Sequence, residues 1–247
     1  MFEQQETAGR KGRRRGFTLV ELLVVIAVLG LLMGILLPVL SKAREQGNRV
    51  HCMSNLKQLT IVWKMYAADN KGQLCPPEMV LIGIPDSNDD STQERQIESG
   101  ALWLYTQDLK VYKCRSDRED RLCSYATSCA MGGECDESLR YFKTLDDLWR
   151  PGDKMVFIDA GGQGPAETGF CPIHFVGKTV KWGGACDLMT ARHSRGCNLS
   201  FADNHCEYWK WNQKTLKLLS GEISQQQASQ DNPDLHRMAG LLKGRIF

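Results

Sequence analysis

"RRRGFTLVELLVVIAVLGLLMG", residues 13–34, joins a basic cluster to an apolar run that holds one carboxylate, Glu21. From Phe17 to Leu37 the strongly polar residues are Thr18 and Glu21. A helix of this length spans roughly 30 Å, about one bilayer hydrocarbon core. Arg10, Lys11, Arg13, Arg14 and Arg15 precede it, so the N-terminus should stay in the cytoplasm while the rest is sent outward. A secretory signal peptide has a shorter apolar core followed by small-residue cleavage signals. Here the run is longer and leads into Pro38 and a helical pattern. A plain anchor explains everything except Glu21, because an ionised carboxylate in lipid costs about 2.5 kcal/mol or more without a partner.

The run Gly16 to Glu21, "GFTLVE", resembles the processing motif of type IV prepilins and of type II secretion pseudopilins. The resemblance implies cleavage by a prepilin peptidase between Gly16 and Phe17, followed by N-methylation of Phe17. It also gives Glu21 a purpose: to neutralise the new terminal amine of a neighbouring subunit during assembly. Gly30 and Gly34 form a small-xxx-small pair that would let helices approach closely. Pro38, which removes a backbone hydrogen bond, stands where the family carries a helix-kinking proline. Implied partners are the prepilin peptidase, other copies and pilin-like subunits, an inner-membrane assembly platform and the lipid bilayer.

Beyond the span, Ala43, Val50, Met53, Leu56, Leu59, Trp63 and Tyr66 recur at helical spacing, and Gly72 is placed to cap the helix. His51 and Cys52 read as packing or surface positions. The expected organisation is a leader at 1–16, a transmembrane helix at 17–38 and its amphipathic extension at 39–72. A disulfide-bearing globular domain follows at 73–219, then a polar tail at 220–247 with a short terminal helix. The fold class is α+β, a long N-terminal helix packed on a small antiparallel sheet.

All ten cysteines follow the apolar run, an even count that permits full pairing in an oxidising compartment. Cys114, Cys123, Cys129 and Cys135 are spaced by nine, six and six, unlike the paired C-x2-4-C of structural zinc sites, so disulfides are favoured there. Residues 102–117 suggest a short helix and then a strand ending at Cys114. This stretch resembles a helix followed by Cys-Pro-x-Asp in large prepilin-like proteins, with Arg115 in place of the proline. Lys154 to Ile158 reads as a strand, and the glycine-rich run after it lacks the Lys-Ser/Thr pair of a phosphate cradle. Asp86, Asp89 and Asp90 are oxygen donors for Ca2+ without the spacing of a ligand loop.

Residues 197–202 and 206–211 read as a hairpin around Asp203-Asn204. His193 precedes Asp203 by ten positions, which resembles the H-x9-DG signature of large prepilin-like proteins, with Asn204 for Gly. Two readings stand for this hairpin. His193 and Asp203 hydrogen-bond to pin the turn, or His193, Asp203 and His205 hold a metal. A Cys197–Cys206 cross-strand disulfide is equally open. A net charge of +2 argues against a dedicated nucleic-acid binder. The functional expectation is a non-enzymatic filament subunit in the inner membrane with its domain outside the cytoplasm. The alternatives are a membrane-tethered metal-dependent hydrolase and an anchored binding domain.

Overall fold

The computed structural model describes residues 18–80, 90–132, 141–161, 173–176, 179–183 and 189–242. Gly16, Phe17, Asp86, Asp89 and Cys135 lie outside the described residues. The chain forms two units, Met1–Arg44 and Glu45–Phe247.

Helix α1, Leu19–Asp69, continues through Pro38. In the first unit it is exposed on every side, including each large apolar residue from Leu19 to Leu40. It is the one helix among the described residues that is long and apolar enough to cross a membrane. Gly30 and Gly34 have open space where a Cβ would stand. The helix stops where Lys71 and Gly72 turn left-handed and the Gly72 N–H returns to the Ala67 carbonyl at 2.7 Å.

From Glu45 onward α1 buries a face that differs from the expected stripe at its start. Cys52, Asn55, Leu56, Leu59, Thr60, Val62, Trp63 and Ala67 are buried, while Ala43 and Val50 are exposed. Polar contacts decide the rotation. Asn55 Nδ2 donates to the Lys110 and Lys113 carbonyls, both at 3.1 Å, and Thr60 Oγ1 reaches Ser200 Oγ at 2.7 Å.

Short helices α2, Pro77–Val80, α3, Asp90–Ser99, and α4, Trp103–Thr106, follow. The strand expected to end at Cys114 is instead a 3-10 turn, Leu109–Tyr112, started by Asp108 accepting from the Lys110 N–H. Strands β1, Tyr125–Thr127, and β2, Met155–Asp159, come next, then a separate hairpin of β3, Ile173–Val176, and β4, Thr179–Trp182. The expected second hairpin is β5, Gly196–Phe201, and β6, Cys206–Lys210, with Asn204 at φ 77°. The main sheet is antiparallel with order β1-β2-β5-β6.

Every residue of β2 and β5 is buried because both faces of the sheet are covered. One face, carrying Tyr125, Asp159, Asn198, Ser200 and Cys206, meets α1. The other is covered from the C-terminal segment, helices α5, Gln213–Leu219, α6, Gln225–Ser229, and α7, Pro233–Leu242. Arg237 of α7 lies 3.5 Å over the Trp209 ring, and Ser229 of α6 accepts from the Trp182 N–H at 2.9 Å. The described part of the expected polar tail, 220–242, thus carries two helices, with α7 where a short terminal helix is expected. Asn232 fastens it, fully buried and donating to the Ala228 carbonyl at 2.9 Å.

The cysteine chemistry also departs from expectation. Cys52, Cys114, Cys123, Cys197 and Cys206 are free thiols, whereas Cys129 is disulfide-bonded. The hairpin register excludes the Cys197–Cys206 bridge. Cys197 faces Trp209 and Cys206 faces Ser200, so the two thiols leave opposite faces of the sheet.

Candidate functional site

Two places carry the chemistry. At the N-terminus of α1, Glu21 Oε2 accepts from the Thr18 N–H and hydroxyl, each at 2.8 Å, and the Glu21 N–H returns to Thr18 Oγ1 at 3.2 Å. This is a reciprocal capping box, Thr18-x-x-Glu21, and it gives the acid a partner within its own helix. The Thr-x-x-Glu spacing is present in the sequence.

The second place is a buried cluster on the helix-covered face of the sheet. It consists of Cys52 from α1, Cys114 from the loop after the 3-10 turn, Asp159 from the end of β2, and His193 from the turn before β5. The ligating atoms of these four residues all lie within 4.8 Å of one another. His193 Nε2 stands 3.1 Å from Asp159 Oδ2 and 3.3 Å from Cys114 Sγ, and Cys52 Sγ is 3.3 Å from Asp159 Oδ2.

A surrounding layer holds each group. Glu45 Oε1 takes His193 Nδ1 at 2.8 Å, while its other oxygen accepts from Ser116 Oγ at 3.0 Å. Arg192 pairs with Asp159 Oδ1 at 3.4 Å and with Asp117 Oδ2 at 3.3 Å. The Tyr125 hydroxyl donates to Cys52 Sγ at 3.4 Å, and Asn198 N and Nδ2 donate to Asp159 Oδ2 at 3.4 Å. The turn presenting His193 is tight, with Ser194 at φ 50° and Arg195 at φ 71°.

These contacts displace protons. Burial opposes charge on His193, yet Asp159 and Cys114 hold its pKa up at about 10. The Cys114 thiol is pulled down to about 5, first by hydrogen bonding with Cys52 and then, against burial, by His193. Cys52 is pushed upward by burial and by the neighbouring Cys114 and Asp159. Burial also works against Asp117, but Arg121 and Arg192 hold its carboxyl below the usual range.

His193, Asp203 and His205 do not come together. β5, about 20 Å of extended chain, separates His193 from the turn that carries the other two. Asp203 accepts from the His205 backbone N–H at 3.1 Å and pairs with its ring, and that ring stacks on Phe201 at 4.2 Å. The turn is therefore pinned from within, and His193 serves a different cluster. Of that cluster's members, sequence reasoning singled out His193 with the wrong companions. In the sequence Cys52 reads as a packing or surface position and Cys114 as a disulfide cysteine, and nothing there marks Asp159 or Glu45. One signal was present: the two internal stretches with family resemblance, around Cys114 and around His193, meet in space.

Residues 11–37 match the prokaryotic N-terminal methylation motif. The chain carries a type IV prepilin-like methylation motif. It is 39% identical over 67 residues to type II secretion system core protein G of Pectobacterium carotovorum subsp. carotovorum, covering 27% of this chain and 43% of that protein. To type II secretion system core protein G of Klebsiella pneumoniae it is 41% identical over 58 residues, 24% of this chain and 41% of the relative. The chain thus spans about two fifths of the length of these curated relatives. No solved structure matches it.

Proposed function

We propose that the chain is a prepilin-like structural subunit, cut by a prepilin peptidase between Gly16 and Phe17 and N-methylated on Phe17. It then assembles into a type II secretion pseudopilus or a type IV pilus-like filament. One observation carries this reading: the methylation motif at 11–37 leads into a helix whose apolar side chains the single chain leaves uncovered. Cleavage frees an amine on Phe17. Glu21 neutralises that amine on a neighbouring copy, offsetting a burial cost of about 2.5–3.5 kcal/mol in lipid.

Gly30 and Gly34 supply the close helix approach in the filament, and Pro38, which breaks one backbone hydrogen bond, the point of local unwinding. Before assembly the subunit sits in the inner membrane with its leader in the cytoplasm and its sheet domain outside. Its partners are the peptidase, sibling subunits, the assembly platform and lipid.

N-terminal sequencing and intact mass of the membrane-fraction protein test this, in cells with and without prepilin peptidase. The expected product begins at methylated Phe17 in the first and retains residues 1–16 in the second. An uncut chain in peptidase-competent cells overturns the proposal.

A further inference from the structure

We infer that Cys52, Cys114, Asp159 and His193 form a closed, structural zinc site. Zinc takes thiolate sulfur at about 2.3 Å and nitrogen or oxygen at about 2.0–2.2 Å, so the edges of its tetrahedron measure about 3.3–3.8 Å. Three of the cluster's six edges, 3.1, 3.3 and 3.3 Å, already approach these values, and all six lie within 4.8 Å. All four residues are buried, and they come from four separate stretches of chain that converge on one point. A donor set of two sulfurs, one imidazole and one carboxylate suits zinc and not the oxygen-seeking Ca2+ or Mg2+. Four protein ligands leave no open position for substrate, which makes the site structural.

The surrounding layer fits the same reading. Glu45 at 2.8 Å from His193 Nδ1 fixes the tautomer that turns Nε2 toward the thiols, the carboxylate–histidine arrangement common behind zinc ligands. Arg192 holds the Asp159 oxygen that faces away from Cys52, and the Tyr125 hydroxyl donates to Cys52 sulfur. Two thiolates and a carboxylate around Zn2+ leave one negative charge, and Arg192 stands beside it. Both thiols and His193 Nε2 bind without their protons, and any still held pass to solvent. The metal ties α1 to the sheet and to both loops at a single point.

The test uses the full-length chain purified in detergent under mild reduction, with Zn2+ or Co2+ alone as probe. Elemental analysis should find about one zinc per chain, and the cobalt form should show the sulfur-to-metal charge-transfer and d–d bands of a tetrahedral thiolate site. Cys52→Ser and Cys114→Ser should each abolish stoichiometric binding and the cobalt spectrum. Cys206→Ser, at a free thiol outside the cluster, should keep both. Glu45→Gln should retain the spectrum but weaken zinc binding about 10–100-fold. The inference fails if the folded wild-type chain binds neither metal. It also fails if Cys114→Ser keeps its zinc, or if protein from its native compartment carries a Cys52–Cys114 disulfide. Wild-type binding and spectrum stand as a test even where a variant fails to fold.

Discussion

The Tyr208 hydroxyl on β6 hydrogen-bonds the carbonyl oxygens of His193, at 2.8 Å, and Ser194, at 3.1 Å. One side chain on the outer strand thereby fastens the left-handed turn that presents the buried imidazole. Arg49 of α1 lies 4.4 Å over the same ring, so helix, edge strand and turn share one contact.

The turn depends on a glycine. A Cβ on Gly196 would stand 2.1 Å from the Trp209 carbonyl oxygen and 2.7 Å from the Tyr208 ring. Gly196→Ala must push β6 away from β5, against backbone and not against a flexible side chain. A loss of about 3 kcal/mol or more is expected, at the upper end of overpacking costs, and thermal unfolding monitored by circular dichroism measures it.

Asp117 gives a pH dependence. Its side chain is 2% exposed and sits between Arg121 at 2.9 Å and Arg192 at 3.3 Å. Because these cations lower its folded pKa below the ordinary 3.8, the stabilisation is present in full above that value and is lost as pH falls below it. Asp117→Asn removes the carboxylate and leaves two cations without it, at a cost of about 3–5 kcal/mol near neutrality. Urea midpoints of wild type and variant should differ at pH 7, and the difference should shrink as pH is taken progressively below 3.8.

Glu21 caps its own helix with Thr18, and the proposed pairing with a neighbour's amine gives it a second, separable role. Glutamine can keep the capping box with Thr18 but carries no charge, whereas alanine loses both. Glu21→Gln should therefore leave the chain inserted and processed, yet reduce assembly to the level of Glu21→Ala. Filament yield in sheared fractions, against total membrane protein, is the measurement. Assembly by the glutamine variant at the wild-type level would reduce Glu21 to a helix cap.

Removing residues 225–247 should destabilise the sheet domain. Leu235 and Met238 are fully buried, and each such side chain contributes about 1.5–3 kcal/mol. The truncated chain also uncovers Trp209. Lower urea midpoints and dye binding to exposed apolar surface should accompany the deletion.

The elements read correctly from sequence were those with local causes. The apolar span, the Lys154–Ile158 strand, the β5–β6 hairpin and the left-handed Asn204 follow from period, turn chemistry and length. Three other features depended on partners distant in the chain. The helical face of α1 is set by Asn55 and Thr60 bonding to residues about 55 and 140 positions away. The C-terminal segment looked polar because Asn232 and Thr215 spend their hydrogen bonds internally, which composition does not reveal. The open Cys197–Cys206 pairing could not be decided from spacing, because register determines which thiols face each other. His193 drew notice for its distance from Asp203, yet a strand between two residues carries them apart.

The oily stretch from Leu19 to Leu40 buries none of its large apolar side chains. If the chain assembles as proposed, its surroundings can be exchanged, acyl tails for a bundle of sibling rods, without loosening the part that lives in water. A calorimetric scan of that part should be indifferent to which detergent coats the rod. On the proposed function, such indifference would let a folded cargo of strands ride out of a bilayer without first coming undone.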